Sequence, residues 1–342
     1  MNQLETAIAG ALAARARFGP LEWAFWIAAF ATIWLLPDRA LILAEIAIWG
    51  LFALSLDLIL GYAGIISLGH AAFFGAGAYA AGLLAKHEII TEPPVALLAA
   101  GLAAALLGFA SSFLVLRGSD LTRLMVTLGV SLVCLELANN LAAITGGADG
   151  LQGIDMAPIF GLWPFDLFGH TAYAYALTVL FVLFMLARLI VNSPFGLSLK
   201  AIKANPLRSA AIGIPVNRRL VAVYTLSAFY AGVAGALLAQ TQAFASLPLL
   251  SMERSADVLL ILIIGGTGYL YGGLIGALVY RLLQDALSNV TARYWQFWLG
   301  LMLVAIVLVG RERIAGALSK IGSGVISRLL QRRGAADAAH KS

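Results

Sequence analysis

Residues 95–116 run for 22 positions without one charged side chain, and a chain with many such runs cannot fold into an ordinary soluble domain. A helix needs about 20 mostly apolar residues to cross a bilayer. Further apolar segments lie near 21–36, 40–60, 72–85, 122–143, 171–190, 219–240, 257–266, 273–290 and 295–310. Hydrophobic residues make up 61% of the chain and charged residues 11%, where soluble domains carry roughly a quarter charged. The expectation is an all-α polytopic membrane protein with about ten transmembrane segments. The segment at 257–266 is too short to span unaided, and whether it crosses stays open.

Arg15 and Arg17 precede an apolar run, as in a signal peptide, but that run ends in Pro37-Asp38-Arg39 without a small-residue cleavage site. Residues 1–20 therefore read as a retained, cytoplasmic amphipathic leader. Residues 21–310 form the transmembrane domain and 311–342 a basic tail. The 191–219 loop holds Lys200, Lys203, Arg208, Arg218 and Arg219 with no acid, whereas 144–170 holds Asp149, Asp155 and Asp166 with no Lys or Arg. By the positive-inside rule, the first loop and the tail are cytoplasmic and 144–170 is outside. Ten passes satisfy all three and put both termini in the cytoplasm. The net charge of +5 then reports topology and implies no nucleic-acid partner. Cys134 is the single cysteine, so the chain cannot form an internal disulfide.

GYAGIISLGHAAFFGAGAY, residues 61–79, sets five glycines and a histidine among apolar residues and carries no charge. Non-helical backbone at membrane depth is tolerated where it is buried in protein or lines a watery cavity. The stretch is read as a helix broken to line a path, with Gly61, Gly64, Ser67, Gly69, His70 and Phe73 beside it. A plain turn, followed by close packing on an Ala72, Ala76, Ala80 face, is the alternative. A counterpart follows at 261–280, where Gly265-Gly266-Thr267-Gly268 interrupts a short apolar run. Paired glycine-broken segments are the pattern of a transporter's binding region.

Glu45, Asp57 and Glu136 lie within apolar helices, where acids are costly and therefore candidates for function. Asp57 stands out, one turn before the break. It is either a pathway group or a hydrogen-bond partner for backbone N–H groups freed there. Glu45 and Glu136 read as structural. The four histidines are scattered without ligand spacing, so no metal site is expected. No Gly-Lys dipeptide occurs, so no P-loop is encoded and no catalytic site is expected. The polar groups near the breaks look too sparse to cage a highly charged solute. In the 195–213 loop, Ala201, Ile202, Ala204, Leu207, Ala210, Ala211 and Ile212 would form one stripe of an amphipathic helix ended by Gly213 and Pro215, suited to a membrane surface or a partner's groove.

GYAGIISLGHAAFFGAGAYAAGLL resembles the signature of LivM-like permeases of branched-chain amino acid ABC transporters. ITGGADGLQGI at 144–154 resembles that family's external segment, with Gly146, Gly147, Asp149 and Gly150. KAIKANPLRSAAIGIPVNRRLVAVYTLSAFYAGVAGALLA resembles its cytoplasmic coupling loop and following helix, which implies ATPase coupling through Lys200, Lys203, Asn205 and Arg208. Ser67-Leu68-Gly69-His70 favours the LivM-like over the LivH-like subunit. The resemblance implies a multi-pass permease subunit in the bacterial inner membrane, surrounded by lipid. Its partners would be a homologous LivH-like permease, two ABC ATPase subunits that use the ATP, and a periplasmic solute-binding protein. No cofactor is expected on the chain itself. Two departures leave the solute open, since Asp57 stands where the family more often has Asn, and Ile65-Ile66 where Gln often follows Gly64. The alternatives are an ABC permease for urea, amides or small organic acids, an ion-coupled secondary carrier using Asp57, and a passive channel.

Overall fold

The apolar runs become helices, and the breakers set most of their ends. The computed structural model describes residues 19–290 except 119 and 167, together with 294, 297, 298, 300 and 301. The expected leader before residue 19, most of the 295–310 segment and the 311–342 tail lie outside the described residues. The helices are α1 (Pro20–Leu35), α2 (Ala40–Ala63), α3 (Ala71–Lys86), α4 (Pro93–Val115), α5 (Asp120–Asn140), α6 (His170–Val191), α7 (Pro194–Ala204), α8 (Pro206–Ala211), α9 (Val216–Gln242), α10 (Met252–Gly265) and α11 (Leu270–Val290). Among the described residues there is no β-strand, only two isolated bridges. Among the described residues, five spans are long and apolar enough to cross a membrane, and the bent pair α10–α11 supplies a sixth if counted as one. α1 and α3, at 16 residues each, are apolar but shorter. The fold is that of an all-α membrane protein.

Residues up to Arg281 form one compact unit and those from Leu282 a second. In the second, the rings of Phe297 and Trp298 meet edge to face at 5.5 Å. At the centre of the first, α9 packs on α4, α3 and α2. Three of its buried polar side chains donate to neighbouring carbonyls, which supply the partners that water cannot at such depth. Ser227 Oγ donates to Ser55 O at 2.5 Å, Tyr230 Oη to Leu183 O at 3.0 Å, and Gln240 Nε2 to Pro93 O at 2.9 Å.

The close face of α3 differs from the expected Ala72, Ala76, Ala80 stripe. Ala76 and Ala80 are only partly buried. The tight crossing is made by Gly77 against Gly232, and by Gly235 against the Phe74 backbone. A Cβ on Gly235 would lie 1.8 Å from Phe74 O, so the two backbones touch there without side chains between them.

Candidate functional site

The first break is not a turn at the protein surface. Ala63 ends α2 and Gly64 caps it in the left-handed conformation, φ 74°, which glycine adopts without steric cost. From there residues 64–70 run back alongside α2. His70 Nε2 is 2.8 Å from Ser55 Oγ, and Ser55 lies eight residues, or about 12 Å, inside the end of α2. α3 therefore begins within the protein. Ile65, Ser67 and His70 are buried, and the His70 ring stacks on Phe52 with centroids 5.6 Å apart. The backbone freed by the break is satisfied from outside it. Leu68 N donates to Thr127 Oγ1 at 3.2 Å, and Ala71 N to Ser255 Oγ at 2.9 Å. Phe73 packs edge-on against Tyr224, and Gly69 lies directly against the Thr127 carbonyl.

The second broken element has a matching form. α9 ends at Gln242, and the chain then dips through a short turn, Leu247–Leu250, before α10 starts at Met252. Ser131 Oγ donates to Leu250 O at 2.8 Å, and Leu250 lies against Gly75. α10 thus starts beside the start of α3, joined to it by the Ala71–Ser255 bond. The apolar run at 257–266 leaves out the polar first turn of this helix. α10 and α11 meet at 110° across residues 266–269.

The two breaks touch each other at the end carrying the basic loop. Asp57, fully buried, accepts a hydrogen bond from Gly268 N at 2.7 Å. The freed N–H that it serves belongs to the second break, not the first. Its other oxygen has no hydrogen-bond partner among the described residues. Lys203 Nζ reaches from α7 to donate to Gly61 O at 2.7 Å, and its stem lies against Gly64. A Cβ on Gly61 would fall 2.1 Å from Asp57 Oδ1 and 2.5 Å from Gly268 N. The absence of a side chain there is what lets the two breaks meet. Asp57, Gly61, Gly64 and Lys203 are thus one cluster with Gly268, and Thr267 is exposed at its edge. Ser67, Gly69, His70 and Phe73 sit deeper, in the return segment and the start of α3. Gly265 and Gly266 lie against Gly272 of α11.

The basic loop is two helices rather than the single amphipathic one expected. Pro206 has no N–H and pushes the preceding residue out of helical geometry; Asn205 is accordingly extended, φ −161°. Its side chain then caps α8, accepting from Arg208 N at 3.0 Å. The stripe divides with the helix. Ile202 is buried, whereas Leu207 and Ile212 are 84% and 69% exposed. Lys200 lies over the Tyr62 ring at 5.3 Å, and Arg208 is exposed.

At the opposite end, Gly146, Gly147 and Gly150 all take positive φ, and Asp149 is exposed. Thr145 Oγ1 closes the turn onto Ala138 O at 2.5 Å. Leu151 and Ala245 form an antiparallel bridge. Asp166 Oδ1 and Oδ2 accept from Thr171 N and His170 N at 2.8 and 3.1 Å. Partial burial pushes its carboxyl up, but these N–H groups together outweigh it and hold it below the usual range.

Of the other acids, Glu45 pairs with Arg281 and accepts from Gln242 Nε2 at 3.3 Å. Glu136 is exposed and accepts from Asn140 Nδ2 at 2.7 Å. An apolar cavity of about 250 Å³ between Trp26, Ala47, Tyr173, Leu180 and Leu274 lies away from both breaks. Its two hydroxyls, Thr32 and Tyr173, are bonded to each other at 2.6 Å, and the rest of its lining is almost wholly apolar.

An all-α membrane domain with two broken helices that start inside the protein and meet at a basic end has the form of a solute permease. The family described as branched-chain amino acid transport system / permease component matches residues 39–307, and the chain belongs to it. The chain is 29% identical over 286 residues to the high-affinity branched-chain amino acid transport system permease protein LivM of Escherichia coli, covering 76% of this chain and 66% of that protein. The aligned part thus spans just under two thirds of that relative. The ribose import permease protein RbsC of Bacillus subtilis is 28% identical over 176 residues, 47% of this chain and 54% of its own. A probable branched-chain amino acid transport permease protein LivH of Methanocaldococcus jannaschii is 25% identical over 183 residues, 51% of this chain and 55% of its own. No solved structure matches the chain.

Proposed function

We propose that this chain is a permease subunit of an ATP-driven ABC importer that moves branched-chain amino acids across the bacterial inner membrane. One observation carries the mechanism. Lys203, on the loop that would face the cytoplasm, is bonded to the first break at Gly61, and Asp57 bonds that break to the second at Gly268. A push on α7 is therefore a push on both breaks. The exposed Leu207 and Ile212, flanked by Lys200 and Arg208, suit the groove of a separate ATPase. Ten spans with both termini inside fit the charge pattern. The similarity to LivM supports the solute class. A LivH-like second permease, two ATPases and a periplasmic binding protein complete the assembly, with the binding protein docking on Gly146, Gly147, Asp149 and Gly150.

The path runs from that outer loop past Ser67, His70 and Phe73 to the Gly61, Gly64 and Gly266-Thr267 mouth. ATP acts only on the partner subunits, so the chain itself is no enzyme and holds no cofactor. The test is reconstitution with the co-encoded neighbours in proteoliposomes, with uptake of labelled leucine expected only when ATP is present. Uptake by this chain alone, driven by a proton or sodium gradient, would overturn the reading in favour of a secondary carrier. The unpartnered oxygen of Asp57 is the observation that keeps that second reading in play. Transport of urea or an amide without any amino acid would overturn the solute class alone.

A further inference from the structure

We propose that Glu253, Arg254 and Asp257, on the first turns of α10, form a contact site half-way through the protein for the charged ends of a free α-amino acid. The guanidinium takes the solute's carboxylate, and the two acids take its ammonium group. This rests on reading the chain as an amino-acid permease.

The depth of the cluster comes from its partners. Arg254 lies over the Trp49 ring at 5.3 Å. Trp49 is nine residues from the start of α2 and fourteen from its end, about 14 Å and 21 Å along the axis. Asp257 Oδ1 accepts from Tyr280 Oη at 2.8 Å, and the Tyr280 ring is 6.1 Å from Trp49. Arg254, Asp257, Trp49 and Tyr280 thus gather near the middle of the longest span before the first break, with Glu253 next to Arg254 in the chain. Ionised side chains at such depth are expensive and face a watery cavity or a partner.

What surrounds Arg254 separates it from a structural pair. Nearby, Arg281 is matched by Glu45. For Arg254, no carboxylate lies within ion-pair distance among the described residues, and its charge is met by an indole face. Glu253 is exposed on this chain, and Arg254 and Asp257 are partly so. Residues 253 and 257 are one turn apart, as are 254 and 257, and Asp257 attracts Arg254 along the helix surface from beyond ion-pair distance. Opposite charges therefore stand side by side, as a zwitterion presents them. A guanidinium binds a carboxylate through two parallel hydrogen bonds. Urea or a neutral amide offers no charge to balance it.

The test uses the complete importer in proteoliposomes with its binding protein. Arg254→Gln should lower leucine uptake about tenfold or more, the worth of a charge-assisted hydrogen bond. Binding-protein-stimulated ATP hydrolysis should stay within about twofold of wild type, because the solute contact and not the coupling is lost. Arg254→Lys should restore much of the uptake. Wild-type uptake by Arg254→Gln would overturn the site, as would equal loss of uptake and ATP hydrolysis in an assembled complex. If Arg254→Gln does not assemble, Glu253→Cys in a Cys134→Ala chain decides. A charged, membrane-impermeant thiol reagent should modify residue 253, and turnover with leucine-loaded binding protein should change the rate. No reaction in any state would overturn the site. A wild-type complex that moves no amino acid would instead sink the functional reading, a result distinct from either.

Discussion

Gly61 shows how much can depend on a missing side chain. Gly61→Ala puts a methyl group where Asp57 Oδ1 and Gly268 N now are, so one must move and the Asp57–Gly268 bond must lengthen or break. Uptake should fall severalfold while the complex still assembles, measured as leucine transported per ATP hydrolysed. For Asp57 the distinction is between accepting a bond and carrying a charge. Asp57→Asn still offers an oxygen to Gly268 N, so an ATP-driven importer should keep substantial transport. Asp57→Ala removes the acceptor for that N–H, which belongs to an exposed glycine that water can reach, so the melting temperature should fall less than loss of a fully buried bond would make it. Complete loss of transport in a well-assembled Asp57→Asn would point to a proton-coupled carrier. Asp57 was legible as a special residue, since an acid in an apolar helix stands out. Its partner was not, because Gly268 lies 211 positions away and no local pattern links the two. Asp166, outside the spans, offers a pH test. Its carboxyl is held low in the folded chain, so its stabilising effect is full above the ordinary value of about 3.9 and is lost as pH falls through the lowered one. Asp166→Asn should remove that acid-side dependence in thermal melts.

Among the elements, the long helices were readable because hydropathy over some 20 residues averages out local irregularity. The same averaging hid the features on which the proposed path rests. It began the eighth segment at residue 257 and so lost Glu253 and Arg254. Nor could it tell that residues 64–70 return inward, since a buried return and a surface turn use the same glycines. The Asn205-Pro206 pair is a stop signal inside an apparent stripe, and apolar spacing alone runs straight through it. Reversing Lys200, Lys203 and Arg208 to Glu should weaken ATPase association while insertion is unaffected, as read by co-purification. Unchanged solute-stimulated ATPase activity would reduce the loop to a membrane-surface element. At the α3–α9 crossing, Gly235→Val has no room against the Phe74 carbonyl. The chain should be recovered at markedly lower yield and melt several degrees lower, since a new Cβ set against main-chain atoms cannot be relieved by a rotamer change.

For the whole molecule, the bond between Leu151 and Ala245 matters beyond its own stability. Leu151 N donates to Ala245 O at 2.7 Å and Ala245 N to Leu151 O at 3.2 Å, so the loop after residue 146 and the strap leading into α10 are hydrogen-bonded to each other. From Ala245 to Met252 the chain has seven peptide steps, at most about 25 Å of reach, and part of that is wound into the Leu247–Leu250 turn. There is little slack to absorb a displacement. A protein that settles on residues 146–150 and shifts them would therefore tug the strap, and with it the turn of helix that bears Arg254. Arrival of the cargo at the outer face and loosening of its resting place in mid-membrane would then be two readings of one tether, with no signal needing to pass through the nucleotide side first.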